Sequence, residues 1–383
     1  MDRLQSGIIS KEYGFLPDQE PLERLPRAFD AWENIAAALP KLLVSDYLRE
    51  MLAELPPFSV ELLASDREIE RAMVLLSYLG HAYVWGEEEP AEHLPAVLAV
   101  PWHKVAVLLG RPPVLSYASY ALHNWRRVRG SGPVAVGNID LVQNFLGGLD
   151  EEWFILIHVD IEAKAAPALA ALPRAQEAVV RHDSESLGSS LASIHSSLLA
   201  VCATLDRMVE HCDPYIYFNR VRPYIHGWQD HPALPRGLVY DGVEEYGGIP
   251  QKFRGETGAQ SGIIPALDGA LGIEHADDPL RVYLMQLRQY MPPRHRTFVE
   301  SIEKGPSVRR FILRHNHHLL REAYNECVLL VQRFRTTHLE FAGRYVHKQS
   351  LKNTANPTEI GTGGTPFMVY LKKHKEETAK YLI

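Results

Sequence analysis

The stretch Leu319–Tyr345, LLREAYNECVLLVQRFRTTHLEFAGRY, decides how this chain is read. Tyr324, Cys327, Val328, Val331, Phe334, His338, Phe341, Ala342 and Tyr345 recur at steps of three and four. Because an α-helix completes a turn in 3.6 residues, that spacing puts them on one face of a buried amphipathic helix. His338 is the polar exception on the stripe. A lone histidine on an apolar face is as a rule a hydrogen-bonded core residue, so spacing alone leaves two readings open. Arg335 stands one turn earlier on the same face, and the loop Gly361–Thr365, G-T-G-G-T, follows downstream. A neutral imidazole, a nearby guanidinium and an apolar wall suit haem, nitrogen to iron and arginine to a propionate.

Outward from this helix the pattern stays helical. Leu25–Leu43 carries Phe29, Trp32, Ile35, Ala36 and Leu39 on one stripe, and Asp66–Trp85 follows Ser65 as a capping candidate. The stretch PAEHLPAVLAVPWHK (90–104) reads as a proline-rich break, and VLSYASYALHNW (114–125) as a helix. RVRGSGPVAVGN (127–138) is the candidate linker. Trp153–Leu172 is apolar over most of its circumference and is expected to be central; Ser184–Cys212 predicts a second long helix. Asp213 and Pro214 predict an N-cap and first helical residue, with Pro223 disfavouring continuation. Residues 232–257 read as irregular. Helices are expected again over 258–273, 278–290, 294–303 and 307–346, with a break at HNHH, and over Pro366–Tyr381. Strand-like alternation is almost absent, so the expected class is all-α.

Length and composition narrow the function. A chain of 383 residues with 46% apolar and 23% charged residues has room for one large or two unequal globular domains. The net charge of -7 argues against a nucleic-acid partner, which needs a concentrated basic surface. Cys202, Cys212 and Cys327 are scattered, as expected of reduced thiols in a cytoplasmic protein. No apolar leader follows MDRLQSGIISKEYGF and no continuous 18-residue apolar run is seen, so neither a signal peptide nor a membrane span is expected.

Four constellations could carry chemistry. His315, His317 and His318 invite a metal reading, but no cysteine pair accompanies them and a solvated loop is the simpler one. Phe218 and Arg222 share a helical face beside Tyr217; an aromatic wall with a guanidinium suits a flat ring bearing a carboxylate, although an ordinary surface arginine has the same spacing. Phe154 and His158 share another face, where the histidine is either a core residue bonded to backbone or a group facing a ligand. Tyr117, Tyr120 and Ala121 form a further wall or an aromatic core stripe.

Taken in order, these segments resemble the indoleamine 2,3-dioxygenases, haem enzymes that open the indole ring of tryptophan. The resemblance runs almost end to end. It is carried by ISKEYGF (9–15), HAYVWG (81–86), LGRPPVLSYASYALHNW (109–125), WFILIHVDIEA (153–163), FNRVRPYIHGW (218–228), GLVYDGV (237–243), YMPPRHRTFVESIE (290–303), the TTHLEFAGRYV helix and GTGGT. It implies a small helical domain over residues 1–135, a large one over 136–383 with a mobile GTGGT loop, and haem b between them. By position, His338 resembles the proximal iron ligand, and Arg335 the arginine near a haem propionate, with Asp268 as its ionic partner. Arg222 and Thr362 match the groups that hold the substrate amino acid. Tyr217, Phe218, Tyr117 and Phe154 match pocket residues. The partners implied are O2 and a small indole substrate, and the chain is expected to be a monomer.

Three departures bear on the substrate. His158 stands where the family often has serine; the related tryptophan 2,3-dioxygenases place a histidine against the indole N–H, so His158 is a candidate catalytic residue. Tyr120 replaces a smaller residue at the pocket floor. The family's G-G-S-A-G-Q-S is G-E-T-G-A-Q-S here (Gly255–Ser261), which brings Glu256 and Thr257 close to the cofactor. The expected activity is insertion of O2 across the indole C2–C3 bond. The alternatives are a monooxygenase or rearrangement enzyme on a substituted tryptophan, and a haem sensor without turnover.

Overall fold

The computed structural model of the chain describes residues 9–277, 279–351, 362 and 367–383. Its main helices are α1 (Asp30–Leu42), α2 (Leu48–Ala53), α3 (Asp66–Trp85), α4 (Ala96–Leu109), α5 (Leu149–Arg181) and α6 (Ser184–Asp206). They continue with α7 (Ile263–Leu271), α8 (Pro279–Leu287), α9 (Pro293–Glu303), α10 (Val308–His315), α11 (His318–Ala342) and α12 (Phe367–Ala379). Strand is confined, among the described residues, to two small ribbons. His93–Leu94 (β1) pairs in parallel with Val239–Tyr240 (β4), and Trp125–Arg127 (β2) antiparallel with Ile139–Leu141 (β3). The class is all-α.

Local chemistry explains several helix starts. Ser65 accepts a hydrogen bond from the Glu68 N–H at the head of α3, and Asp213 accepts from the N–H groups of Tyr215 and Ile216 ahead of Pro214. His317 caps α11 through Nδ1, which no capping rule for Ser, Thr, Asp or Asn anticipates. The HNHH break is real: Asn316 takes a positive φ of 49° between α10 and α11.

Three expectations need correction. The proline-rich run is a break only over 90–95, because α4 takes up its second half with Pro101 inside. Pro95 leads into the first turn, and burial of Leu98, Trp102, Val105 and Ala106 outweighs the hydrogen bond that Pro101 cannot donate. The expected helix at 114–125 is one π-helical segment, Ala118–Leu122, after which Trp125 enters β2. Pro223 does not end the turn that begins at Pro214, which continues as π-helix (Tyr217–Val221) and then 3-10 helix (Arg222–Ile225). One further reading changes: Ser184–Glu210 is long and apolar enough, at mean hydropathy 1.3, to cross a bilayer, since interspersed serines do not abolish its average. In the fold α6 packs along α5 and α11 with Leu187, Leu191, Ile194, Leu198 and Cys202 buried.

Two apolar cores result. One joins α1, α3, α4 and residues 114–125, with Trp228 and Tyr240 from later in the chain. The other joins α5, α6, α7, α9, α10 and α11. Val136, Leu146 and Phe154 are only partly buried and pack against both cores, so the N-terminal end of α5 lines the space between them.

That end of α5 is fixed by Glu151, at 0% exposure. Its carboxylate reaches back to accept the N–H groups of Phe145 and Leu146 at 2.7 Å and of Gly147 at 3.2 Å. A glutamate three residues past the N-cap makes such contacts naturally. Glu151→Ala strands three backbone donors and is expected to destabilise the fold by about 3 kcal/mol, read as a lowered urea midpoint with an unchanged slope.

Candidate active site between the two cores

The stripe on α11 changes character along its length. Tyr324, Cys327, Val328 and Val331 are fully buried. Beyond them Phe334 and Phe341 are only partly covered, and His338 is exposed although many protein atoms lie near it. Near neighbours and an open surface together describe a side chain facing a recess. No described residue hydrogen-bonds the imidazole. Burial, reinforced by the nearby His158 ring, brings its pKa down to about 4. The ring is therefore neutral at pH 7 and keeps a lone pair for a metal. A neutral, unbonded imidazole between phenylalanines in a cavity is the donor set that haem iron takes, so the residues fit that group.

One turn before His338, Arg335 is 5% exposed. It donates to Asp268 at 2.6 Å and to the Thr378 hydroxyl of α12. His275 extends the cluster, with Nε2 3.1 Å from Asp268 and Nδ1 2.7 Å from Glu377. His275, His374 and Glu377 bring ligand atoms within 4.8 Å of one another. Both nitrogens of His275 already face carboxylates and the Arg335 guanidinium lies 3.3 Å away, so this is an ion-pair network rather than a vacant metal site. The sequence reading paired Arg335 with Asp268 but missed His275, Glu377 and Thr378, which are far apart in the chain and share no spacing. The HNHH run carries no metal cluster among the described residues: His315 bonds the Phe311 carbonyl, His317 caps α11 and His318 is solvated.

A further part of the site comes from α5. His158 Nδ1 lies 2.7 Å from the Phe154 carbonyl. A carbonyl only accepts, so Nδ1 carries the hydrogen and Nε2 is left as an acceptor. Burial lowers the pKa of His158, which keeps it neutral. Phe154 lies at the centre of an aromatic group: its ring centroid is 4.6 Å from His158, 4.5 Å from Tyr217 and 6.3 Å from Tyr120. Tyr117 stands edge-on to His158 at 5.9 Å. Glu162, on the next turn of the same face, accepts from the Tyr117 hydroxyl at 2.9 Å and the Ser261 hydroxyl at 2.7 Å. Its step of four from His158 was a readable signal that sequence reasoning passed over.

Three π-helical turns hold these residues. Ala118–Leu122 presents Tyr120, Tyr217–Val221 presents Tyr217 and Phe218, and Gly343–His347 follows α11 directly. Such bulges rotate side chains out of helical register and concentrate at functional sites. Arg222 follows the second turn at 1% exposure, its guanidinium 5.6 Å from the Phe218 ring centroid. Burial lowers its pKa to about 10, which still leaves it charged at pH 7.

The loop carrying Glu256 is seated by a close crossing of two glycines. A Cβ on Gly227 would lie 2.2 Å from the Gly255 nitrogen, and one on Gly255 would meet the Gly227 nitrogen at the same distance. Only glycine at both positions allows the crossing. The Glu256 N–H then donates to the Ile225 carbonyl at 3.1 Å, and the Thr362 hydroxyl donates to the Glu256 carbonyl at 2.5 Å. Thr362 thus sits against the Arg222–Gly227 segment; Gly361 and Gly363–Thr365 of its loop lie outside the described residues. Thr257 caps the short turn Gly258–Gln260 and accepts from the Ala259 N–H, while Gln260 ties that turn to the Tyr117 backbone at 2.8 Å. The Glu256 side chain is 3% exposed, and burial raises its pKa to about 8.

Comparison with known proteins agrees with this arrangement. A family model described as indoleamine 2,3-dioxygenase matches residues 4–381. The chain is 37% identical to indoleamine 2,3-dioxygenase 1 of Rattus norvegicus, over 99% of this chain and 96% of that protein. It is 32% identical to a 6-hydroxytryptophan 2,3-dioxygenase of Fusarium equiseti, over 100% and 99%, and 29% identical to an indoleamine 2,3-dioxygenase of Saccharomyces cerevisiae, over 98% and 92%.

The network on α12 makes stability depend on pH. For His275, burial acts to lower the pKa but the hydrogen bond and charge of Asp268 prevail and raise it. A raised imidazole pKa contributes stability that is complete below the ordinary value of about 6.5 and is lost as pH rises through the raised one. The protein is therefore expected to lose stability as pH rises above about 6.5, and His275→Gln to lose that component. Urea midpoints measured across this range, wild type against variant, check it.

Proposed function

Since the chain belongs to the indoleamine 2,3-dioxygenase family, we propose that it is the haem b dioxygenase that opens the indole ring of L-tryptophan or a close indole derivative, giving N-formylkynurenine from tryptophan. Enzymes of this family are haem-dependent oxidoreductases. The observation that carries the finer reading is the pair of neutral imidazoles, His338 and His158, near enough for the charge of one to act on the other, with Phe154 against the His158 ring.

His338 would hold the iron from α11, with Arg335 at the cofactor edge and Asp268 and Thr378 keeping its guanidinium in place. The haem, when bound, supplies the iron centre at which O2 is activated. The chain supplies position. Arg222 binds the substrate carboxylate through its fixed charge. Thr362, against the Glu256 carbonyl, contacts the amino-acid end. Phe154, Tyr217, Phe218, Tyr120 and Tyr117 hold the ring and keep water out. His158 Nε2, the free acceptor, takes the hydrogen bond of the indole N–H and so fixes which ring edge meets O2. Held this way, the reactants meet with much of the entropic cost already met in binding.

His158 and Tyr120 also motivate a second reading, a haem monooxygenase or rearrangement enzyme acting on a substituted tryptophan. The Fusarium equiseti relative named for 6-hydroxytryptophan supports including substituted substrates in the proposal. The three cysteines are buried thiols, which supports a cytoplasmic location.

Turnover of haem-loaded protein with tryptophan and 18O2 is expected to give a ring-opened product with two labelled atoms; a single labelled atom selects the second reading. Arg222→Ala is expected to weaken tryptophan binding by about 1.5–3 kcal/mol, the worth of a charged hydrogen bond, in an anaerobic spectral titration. Unchanged affinity in that variant refutes the carboxylate role.

A further inference from the structure

Glu162 is a buried group to which the proposed chemistry gives no task. It sits on α5 four residues beyond His158 and is 0% exposed. A carboxyl so far from water is costly, and an apolar side chain would fill the same helix face without that cost. Its contacts show what it holds. Oε1 accepts the Tyr117 hydroxyl at 2.9 Å and the Ser261 hydroxyl at 2.7 Å, while Oε2 has no partner among the described residues. Burial raises the pKa to about 7 against the pull of those two hydroxyls. Oε1 keeps two lone pairs whether or not Oε2 carries a proton, so both hydroxyls are held in either state.

Of the two hydroxyl partners, Tyr117 is the one whose ring meets His158. Its backbone N–H donates to Gln260 Oε1 at 2.8 Å, and Gln260 Nε2 donates in turn to the Gly255 carbonyl at 2.9 Å. With its hydroxyl on Glu162, Tyr117 is held at both ends, and the ring between them is fixed. That ring stands edge-on to the His158 imidazole, with centroids 5.9 Å apart and planes at 76°. Phe154 packs on the same imidazole at 4.6 Å. The hydrogen bond from Nδ1 to the Phe154 carbonyl anchors one edge of the imidazole. One such bond leaves a ring able to rock about it, so the direction of Nε2 depends on the two rings packed against it. We propose that Glu162 is a positioning residue that, through Tyr117, holds the His158 imidazole where its Nε2 accepts from the substrate N–H. This rests on the dioxygenase reading above and deepens it. Direction matters because a hydrogen bond weakens steeply as its angle closes.

The test is an anaerobic spectral titration of the ferrous, haem-loaded enzyme with L-tryptophan and with its benzofuran analogue, in which oxygen replaces the indole N–H and the shape is kept. The wild type is expected to bind tryptophan about two- to tenfold more tightly than the analogue, the worth of one neutral hydrogen bond. Glu162→Leu and Tyr117→Phe are expected to bring that ratio close to one. Glu162→Gln, whose amide oxygen can still accept both hydroxyls, is expected to keep it. Ser261→Ala, which leaves the Tyr117 bond in place, is expected to keep it too. Thermal melting and haem content of each variant separate these effects from misfolding. The inference is overturned if Glu162→Leu retains the wild-type ratio, including the case in which it weakens both ligands alike, the mark of a merely structural carboxyl. It is overturned equally if Ser261→Ala abolishes the ratio as fully as Tyr117→Phe does. A wild type that binds both ligands equally overturns it together with the acceptor role of His158. A protein that binds haem and no indole at all overturns the dioxygenase reading itself, a result distinct from the others.

Discussion

One helical face serves as both core and cavity wall, and the rest of the structure depends on how it makes that change. From Leu320 to Val331 the α11 stripe interlocks with α6 and α7 and is closed. Three residues on, at Phe334, the packing partners recede and His338 faces open space. The closed part holds the open part rigid. An imidazole is costly to leave in an apolar cavity without a partner, and nothing in the described protein supplies one. That arrangement supports the proposal that His338 gives its lone pair to a ligand.

The wall facing α11 is made by departures from regular structure. Tyr120 and Tyr217 come from separate segments, and both rings lie against Phe154. Each segment makes a π-helical turn there. The Gly227–Gly255 crossing then lets two loops approach more closely than side chains permit, which brings Arg222, Glu256 and Thr362 to the rim of the same cavity. α5, fixed at its start by Glu151, joins the two walls. Its face carries Phe154, His158 and Glu162 in succession, and each is held by a hydrogen bond or ring contact that sets its direction.

Sequence made the helices legible because their periodicity is local. The stripes of α1, α3, α5, α6 and α11, the Ser65 and Asp213 caps and the helical class all follow from spacing within one or two turns. Local rules failed where tertiary burial outweighed propensity. Pro101 is tolerated inside α4 because its neighbours are buried, and residues 114–125 shorten to a π turn because Trp125 pairs with Leu141 in a ribbon. For the site, Phe154 with His158 and Phe218 with Arg222 were visible as steps of four, though each had a plain core reading that only the fold could weigh. His275, Glu377 and Thr378 left no trace, since the cluster joins residues a hundred positions apart and depends on where α12 docks.

Resonance Raman spectroscopy of the ferrous, haem-loaded protein tests the central claim most directly, because the iron–histidine stretch reports the axial imidazole itself. The band is expected in the wild type and in His158→Gly, absent in His338→Gly, and restored to that variant by added imidazole. A band that persists in His338→Gly, or that disappears instead in His158→Gly, contradicts the assignment of the iron to α11.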